Sequence, residues 1–182
     1  GGRLAPSMIE EVVAAQPTSR VFVMYGQTEA TARLSYLPPE LLASKLGSIG
    51  RGIPGVELRV VGADGRPVAP GETGEIVARG ANISPGYLND PEATAEKFPG
   101  GELLTGDLAT VDDEGFLYIV GRRGDFIKSW GYRISPQQVE EIALQFPGIA
   151  SAAAVGLPDP EAGEAVTLAV TAAPNADPDL DG

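Results

Sequence analysis

Three short stretches carry residue types whose spacing suits work on a phosphorylated ligand. The first is Tyr25-Gly26-Gln27-Thr28-Glu29, reached at the end of the apolar run from Val21 to Met24. Thr28 and Glu29 follow a strand and a glycine, which can set a hydroxyl and a carboxylate where a phosphate and its divalent cation would meet them; Tyr25 offers a ring face for a base. The second is Thr105-Gly106-Asp107, where a carboxylate beside a flexible glycine suits hydrogen bonds from ribose hydroxyls. A hairpin between Asp107 and Arg122 could bring the guanidinium back as a second ribose or phosphate contact. The third is Lys128, followed by Trp130, Gly131, Tyr132 and Arg133, an aromatic and basic mixture between two strands that could line a groove. Each has a plainer alternative. Thr28 can be an N-cap, Glu29 a surface acid and Tyr25 a core ring. Asp107 and Arg122 can form an ordinary ion pair, and Lys128 and Arg133 can be exposed hairpin charges. Trp130, the sole tryptophan, can equally serve domain packing.

The elements that must position these residues follow from pattern. Ser7, reciprocated by Glu10, predicts a capped helix with Met8, Ile9, Val12 and Val13 at helical spacing, ending near Pro17. Val21 to Met24 reads as a strand buried in a parallel sheet, placing the loop that follows at a carboxyl end where open α/β sheets bind ligands. From Gly50 to Gly80, VELRVV, a turn at Ala63-Asp64-Gly65-Arg66, and GEIVAR predict a small antiparallel sheet or barrel. Asn89 to Thr94 starts a short helix with Pro91 in its first turn, stopped by Pro99-Gly100-Gly101. LLTGDLATV and FLYIV read as a hairpin around Asp112 to Gly115. A boundary follows Gly121. Beyond it come strands, then a helix opened by Ser135-Pro136, with Val139, Ile142, Ala143 and Phe146 on one stripe and Gly148 as its end. Two apolar strands, IASAAAVGL and AVTLAVTA, are joined by an acidic loop from Pro158 to Glu164, and residues 173–182 form a patternless Pro/Asp tail.

Composition narrows the chemistry. At 182 residues the chain can bury a core without staples. It has no Cys and no His, which removes disulfides, thiolate nucleophiles, imidazole bases and Cys- or His-ligated metals. Thirteen Lys and Arg against 25 Asp and Glu give a net charge of −12, a field that repels nucleic-acid backbones and anionic lipid. A free anionic nucleotide would need local help from backbone N–H groups, a few basic side chains or a divalent cation. With 24 Gly, 16 Pro and 43% hydrophobic residues, the chain reads as many connected strands rather than as disorder. No apolar run approaches the roughly 18 to 20 residues of a bilayer span. The start Gly1-Gly2-Arg3 has neither an initiator Met nor a leader, so the expectation is a piece excised from a cytoplasmic protein, with no membrane insertion.

Taken in order, these segments resemble the second half of the AMP-forming, adenylate-forming enzyme superfamily: acyl-CoA synthetases, luciferases and peptide-synthetase adenylation domains. Gly1-Gly2 and the following helix resemble its acyl-pocket strand and helix, and YGQTEA at 25–30 its adenine and phosphate loop. GETGEIVARGANISPGYLNDPEAT at 71–94 resembles the segment leading to the ribose-binding TGDL, here Thr105 to Leu108. GRRGDFIKSWGYRISPQQVEEI at 121–142 resembles the hinge and opening of the mobile lid, and VGLPDPEAGEAVTLAV at 155–170 its next strands. The resemblance implies an α/β fold with an antiparallel β subdomain. Residues 1–121 would be the end of the large N-terminal domain, including a β-barrel-like subdomain, and residues 122–182 the first part of a small α+β lid.

It also implies roles. Tyr25 would stack near adenine in a loop that includes Gly26, Thr28 would touch the α-phosphate, and Glu29 would hold Mg²⁺. Asp107 would clamp both ribose hydroxyls with Arg122 assisting. Lys128 and Gly131 would belong to a lid hairpin that swings in for thioester formation. The expected catalytic residues are thus Thr28, Glu29 and Lys128, and the expected binding residues Tyr25, Gly26, Thr28, Asp107, Arg122 and Gly131. A small-molecule carboxylic acid and ATP would give an acyl-adenylate and pyrophosphate; a thiol, from CoA or from the phosphopantetheine of an acyl or peptidyl carrier protein, would then displace AMP. Such chemistry asks the protein for positioning and charge neutralisation more than for covalent steps, and a hinged lid lets one site present two sets of groups in turn. The sequence departs from the pattern in places. The family's hinge residue is commonly Asp or Lys, and the matching place is Gly124, with Asp125 beside it. The Ser/Thr/Gly-rich phosphate loop and the lid's late Lys are absent from these residues. The expectation is that a full-length parent adenylates, while this piece alone does not catalyse and binds ATP poorly. The alternative is a non-catalytic nucleotide-binding or protein-interaction module of the same fold. Ala30 to Arg33 are expected to border the acyl pocket with small or apolar contacts, and the acidic surface disfavours a negatively charged carrier.

Overall fold

The computed structural model describes residues 5–174, so the expectations placed on Gly1-Gly2 and on most of the tail lie outside the described residues. The chain divides into two compact units, Gly1–Val120 and Gly121–Gly182.

The first unit opens with helix α1 (Pro6–Ala15). Pro6 sits at its start, where a missing N–H costs nothing, and Ala5 is the N-cap, with no side-chain bond. Ser7 therefore lies inside the helix and does not cap it. The expected apolar stripe is also only partly used: Ile9 is buried, whereas Met8, Val12 and Val13 are exposed. Strands β1 (Val23–Tyr25), β2 (Ser35–Leu37) and β3 (Arg51–Gly52) form a three-stranded sheet in that order. β1 pairs antiparallel with β2, which corrects the expectation of a parallel strand. An apolar run of four residues cannot by itself distinguish the two arrangements. As an edge strand β1 alternates rather than burying both faces, and Met24 is 48% exposed.

Strands β4 (Val56–Val61), β5 (Gly74–Gly80), β6 (Leu103–Val111) and β7 (Leu117–Arg122) form the second sheet in sequential order. The expected antiparallel sheet and the β6–β7 hairpin are present, and the turn at Ala63 to Arg66 folds Val61 back on Pro67. Among the described residues, no sheet is closed into a barrel. Helix α2 (Pro91–Lys97) precedes β6; Asp90 caps it by accepting a 2.9 Å bond from the Ala93 N–H. Glu92 lies in its first turn and Lys97 in its last, matching the helix dipole. Three buried clusters hold the unit together: Ala30, Leu34, Ala78, Phe98 and Leu103; Ile9, Leu37, Leu42 and Phe116; and Val60, Ile76, Ala109 and Leu117. Each mixes residues from several elements, so the loop that carries Ala30 is anchored to the same core as β5 and β6.

In the second unit, β8 (Ile127–Ser129) and β9 (Tyr132–Ile134) form a hairpin, and helix α3 (Pro136–Ala143) packs on β10 (Ile149–Asp159), which pairs along its length with β11 (Gly163–Ala172). α3 ends before the expected Gly148, and of its stripe only Ala143 is buried; Ile142 and Phe146 are exposed. The strands are longer than their apolar runs, because Pro158 pairs with Glu164 and Asp159 with Gly163. The expected seven-residue acidic loop thus shrinks to residues 160–162. Asp159 closes it by accepting from the N–H groups of Glu161 and Ala162, at 2.9 and 2.7 Å, and these bonds hold its carboxyl below the usual range. Among the described residues, no helix is long and apolar enough to cross a membrane.

Candidate functional site

The loop after β1 folds back on itself. A short 3₁₀ turn, Thr28–Ala30, is followed by Thr31 and Ala32 in left-handed backbone conformations, with φ of 54° and 73°. The Leu34 N–H then returns to the Tyr25 carbonyl at 2.8 Å, and the Ala32 N–H to that of Gln27 at 3.0 Å. A Cβ on Gly26 would overlap the Ala32 carbonyl oxygen, so this return needs a glycine for space rather than for dihedral freedom. Asn82 staples the far side, donating through Nδ2 to the carbonyls of Ala30 (3.1 Å) and Arg33 (2.9 Å). Ala30 is wholly buried in the core; of the four residues expected at the acyl pocket, Thr31, Ala32 and Arg33 are the exposed ones.

Asp107 is presented by an irregularity in β6. Glu75 pairs with Leu108 and Val77 with Leu104, so one residue of β5, Ile76, lies opposite three of β6 and the Thr105-Gly106-Asp107 stretch bulges from the ladder. Bulges re-aim side chains in this way. Gly106 takes the left-handed conformation at φ 79°, and its N–H reaches Glu75 Oε1 at 3.0 Å. Thr105, fully buried, anchors the bulge: its hydroxyl donates to the Ile76 carbonyl at 2.7 Å and accepts from the Asp107 N–H at 3.1 Å.

The two segments meet on a single oxygen. The Tyr25 hydroxyl donates to Asp107 Oδ2 at 2.6 Å, and Gln27 Nε2 donates to the same oxygen at 2.7 Å and to the Thr105 carbonyl at 3.0 Å. Lys97 Nζ donates to that carbonyl as well, at 3.0 Å. Burial first, and then the bond to Asp107, push the Tyr25 phenol well above its ordinary pKa, so it remains a neutral donor. Glu29, on the adjoining turn, accepts a 2.7 Å bond from the Tyr87 hydroxyl, while its carbonyl accepts from the Ser84 N–H at 2.8 Å. Tyr87 is itself held: its ring meets Phe98 edge-on with centroids 5.4 Å apart, and its N–H donates to Thr94 Oγ1 at 2.8 Å. The bond to Glu29, ahead of partial burial, pushes the Tyr87 phenol up to about 12.

Tyr25 and Asp107 are therefore brought into contact, Gly26 shapes the loop, and Thr28 and Glu29 share the turn that adjoins it. Lys128 and Gly131 belong to the second unit, as does Arg122, which closes β7 and lines a cleft of about 420 Å³ with Asp125, Gln137 and Glu140. Lys128 is exposed, and its N–H donates to Glu164 Oε2. The tip of its hairpin has Trp130 at φ 52° and Gly131 at φ 80°, the pairing a two-residue type I′ turn requires. Trp130, expected as possible packing, is 66% exposed. Sequence reasoning missed Gln27, Asn82 and Tyr87. Gln27 and Asn82 carry no pattern that distinguishes them from other loop amides. Tyr87 had a faint signal, a large ring set between Gly86 and Asn89 in a turn.

The family model described as AMP-binding enzyme matches residues 1–88. At superfamily level, the match is to the AMP-binding enzymes. Relatives carry it past that segment. A 2-succinylbenzoate–CoA ligase of Geobacillus kaustophilus (strain HTA426) is 42% identical over 137 residues, 75% of this chain and 28% of the relative. The solved o-succinylbenzoate CoA synthetase of Bacillus subtilis, in complex with an acyl-adenylate intermediate, superposes with a TM-score of 0.87 at 34% identity over 97% of this chain and 36% of that one. The same synthetase has been solved with ATP and a magnesium ion. An amide bond synthetase of Marinactinospora thermotolerans superposes with a TM-score of 0.86 at 36% identity, covering 98% of this chain and 36% of that one. The chain thus spans about a third of the length of these AMP-binding enzymes, and its helices and antiparallel sheets match their fold.

Proposed function

We propose that this chain is part of an AMP-forming acid–thiol ligase, which joins a carboxylic acid to AMP at the expense of ATP and then passes the acyl group to a thiol. The observation that carries this reading is the convergence of Tyr25 and Gln27 on Asp107, which unites two loops some 80 residues apart beside the turn of Thr28 and Glu29. In this reading Tyr25 faces the adenine, Asp107 receives the ribose hydroxyls with Arg122 as second contact, and Thr28 meets the α-phosphate. A carboxylate oxygen of the acid attacks that phosphorus, and the bond to pyrophosphate breaks. The protein's part is to hold these groups in line.

Glu29 would hold Mg²⁺, which neutralises phosphate charge when bound. The donor set fits: Mg²⁺ prefers hard oxygens and takes one or two carboxylates alongside substrate phosphates. Among the described residues there is no group of three or more acidic, His or Cys side chains to form a cage of its own. Residues 1–121 would form the end of the large domain, with β4 to β7 contributing to a barrel-like subdomain, and residues 122–182 the start of a lid. There Lys128 and Gly131 would approach the acyl-adenylate for transfer to CoA or a carrier's phosphopantetheine, in a cytoplasmic setting that supplies ATP.

The test is ATP–pyrophosphate exchange by the full-length enzyme across a panel of carboxylic acids, followed by AMP release with CoA or a loaded carrier protein. Acid-dependent exchange is expected from the full-length enzyme and not from the 182-residue chain alone. Absence of exchange with every acid would leave a non-catalytic binding module as the better reading. The similarity to an amide bond synthetase favours a second reading of the last step only, with an amine in place of the thiol; AMP release on addition of amines distinguishes it.

A further inference from the structure

Gln27 makes contacts that the roles above do not use. Its Nε2 reaches Asp107 Oδ2 at 2.7 Å and the Thr105 carbonyl at 3.0 Å. An amide nitrogen has two hydrogens in one plane, so both are engaged, and the side chain ties the carboxylate to the backbone of its own bulge. The Tyr25 hydroxyl meets the same carboxylate oxygen at 2.6 Å. Two donors on one oxygen, approaching from the same loop, fix the plane of a carboxylate that a bulged strand would otherwise leave to several rotamers. The far end of the network is equally rigid, since Thr105 is fully buried and bonded to the Ile76 carbonyl. The remaining contact of the Gln27 amide, 3.5 Å to the Tyr25 hydroxyl, lies within the same network, so its bonds serve the orientation of Asp107.

We propose that Gln27 is a positioning residue for the nucleotide sugar: by locking Asp107 to the Thr105 carbonyl, it sets the preference for a ribonucleotide over a 2′-deoxyribonucleotide. The inference rests on the reading of Asp107 as the ribose-diol contact. A pre-oriented carboxylate holds two vicinal hydroxyls without first losing rotamer freedom, an advantage that disappears when one hydroxyl is missing. Gln27 thus acts only through Asp107, and its effect belongs to the binding of ribonucleotides.

The experiment compares full-length wild type with Gln27→Met, which keeps the length and loses the donor, and Gln27→Glu, which sets a second carboxylate against Asp107. Exchange kinetics with ATP and 2′-deoxyATP are measured alongside calorimetric binding of AMP and 2′-deoxyAMP. In Gln27→Met, KM for ATP and Kd for AMP are expected to rise about tenfold, the scale of one hydrogen bond to a charged group. Values for the deoxynucleotides and kcat should stay within about twofold, so that the ribo preference collapses; Gln27→Glu should lose more. An equal rise for both sugars, or a fall in kcat with the preference intact, would overturn the proposal and leave Gln27 as a mere loop support. Asp107→Ala separates the two levels. If it erases the preference while Gln27→Met retains it, only this inference fails; if it leaves the preference untouched, the reading of Asp107 fails with it. Should Gln27→Met prove unstable to heat, Gln27→Asn, a donor too short to span both acceptors, is judged by the same criteria.

Discussion

The acids of the candidate site are each held by a neutral hydroxyl: Asp107 by Tyr25, and Glu29 by Tyr87. A phenol donates to a carboxylate without neutralising it, so the negative charge is oriented yet kept. This leaves a measurable trace at Tyr87, whose pKa lies at about 12 chiefly because its ionisation would break the bond to Glu29. Glu29→Gln removes the charge and should bring the Tyr87 pKa down toward the ordinary value of about 10. Tyrosinate absorbance, taken as the difference between Glu29→Gln and the same variant carrying Tyr87→Phe, reads it. An unchanged value near 12 would mean that the two side chains do not meet in solution. Tyr25, Glu29 and Asp107 stand out in the sequence because a hydroxyl or carboxylate next to glycine after a strand has a recognisable chemistry. Gln27 and Tyr87 do not, because their roles consist of contacts with residues far away in the chain, Asp107 and Thr105 for the one and Glu29 for the other.

At the scale of elements, the two site glycines do different work. Gly26 is short of space, whereas Gly106 has only Lys97 Nζ near it, at 3.6 Å, but a left-handed backbone. Gly26→Ala should therefore force open the return of the loop and cost roughly 1–3 kcal/mol, as overpacking does. Gly106→Ala should cost about 1–2 kcal/mol from conformation alone, and Gly106→Asn less, since asparagine tolerates this region. Chemical denaturation of the four proteins would decide; equal behaviour of Ala and Asn at position 106 would count against a purely conformational role. The β6–β7 hairpin was legible because its turn, Asp112 to Gly115, is built from neighbouring residues. The bulge in β6 was not, since the extra residues are extra only relative to β5.

Across the whole molecule, acids outnumber bases by 25 to 13, so a single base can be shared between two acids. Lys45 bonds Asp112 at 2.7 Å and Glu114 at 2.6 Å, and its ammonium lies 4.9 Å from the centre of the buried Phe116 ring. Burial works against a charged Asp112, but bonds from Lys45 and from the N–H groups of Phe116 and Glu114 outweigh it and hold its pKa below the usual range. The bonds to Asp112 and Glu114 raise the pKa of Lys45. A depressed Asp contributes stability above its unfolded pKa of about 3.9, lost as pH falls through the lower folded value. A raised Lys contributes below about 10.4, lost as pH climbs through the higher folded value. The cluster should thus act fully between about pH 4 and pH 10. Melting temperatures of wild type and Lys45→Met should differ by a constant amount in that window, and the gap should narrow at both ends; a gap that widens in acid would contradict the assignment.

Local chemistry determined much of this protein: the turn at Asp112 to Gly115, the start of α2 with Pro91 in its first turn, the start of α3 at Ser135-Pro136 and the order of the chemistry-bearing segments can all be read from neighbouring residues. Tertiary structure decided the rest. The apolar run around β1 proved antiparallel because its direction depends on which strand it meets, not on its own composition. Tyr25, Gln27 and Asp107 form one network only because the loop after β1 and the bulge of β6 are both anchored to a common core, through Leu34 and Ala30 on one side and Leu103 on the other. Burial and contact of residues some 80 positions apart are properties of packing, and no periodicity within a segment encodes them.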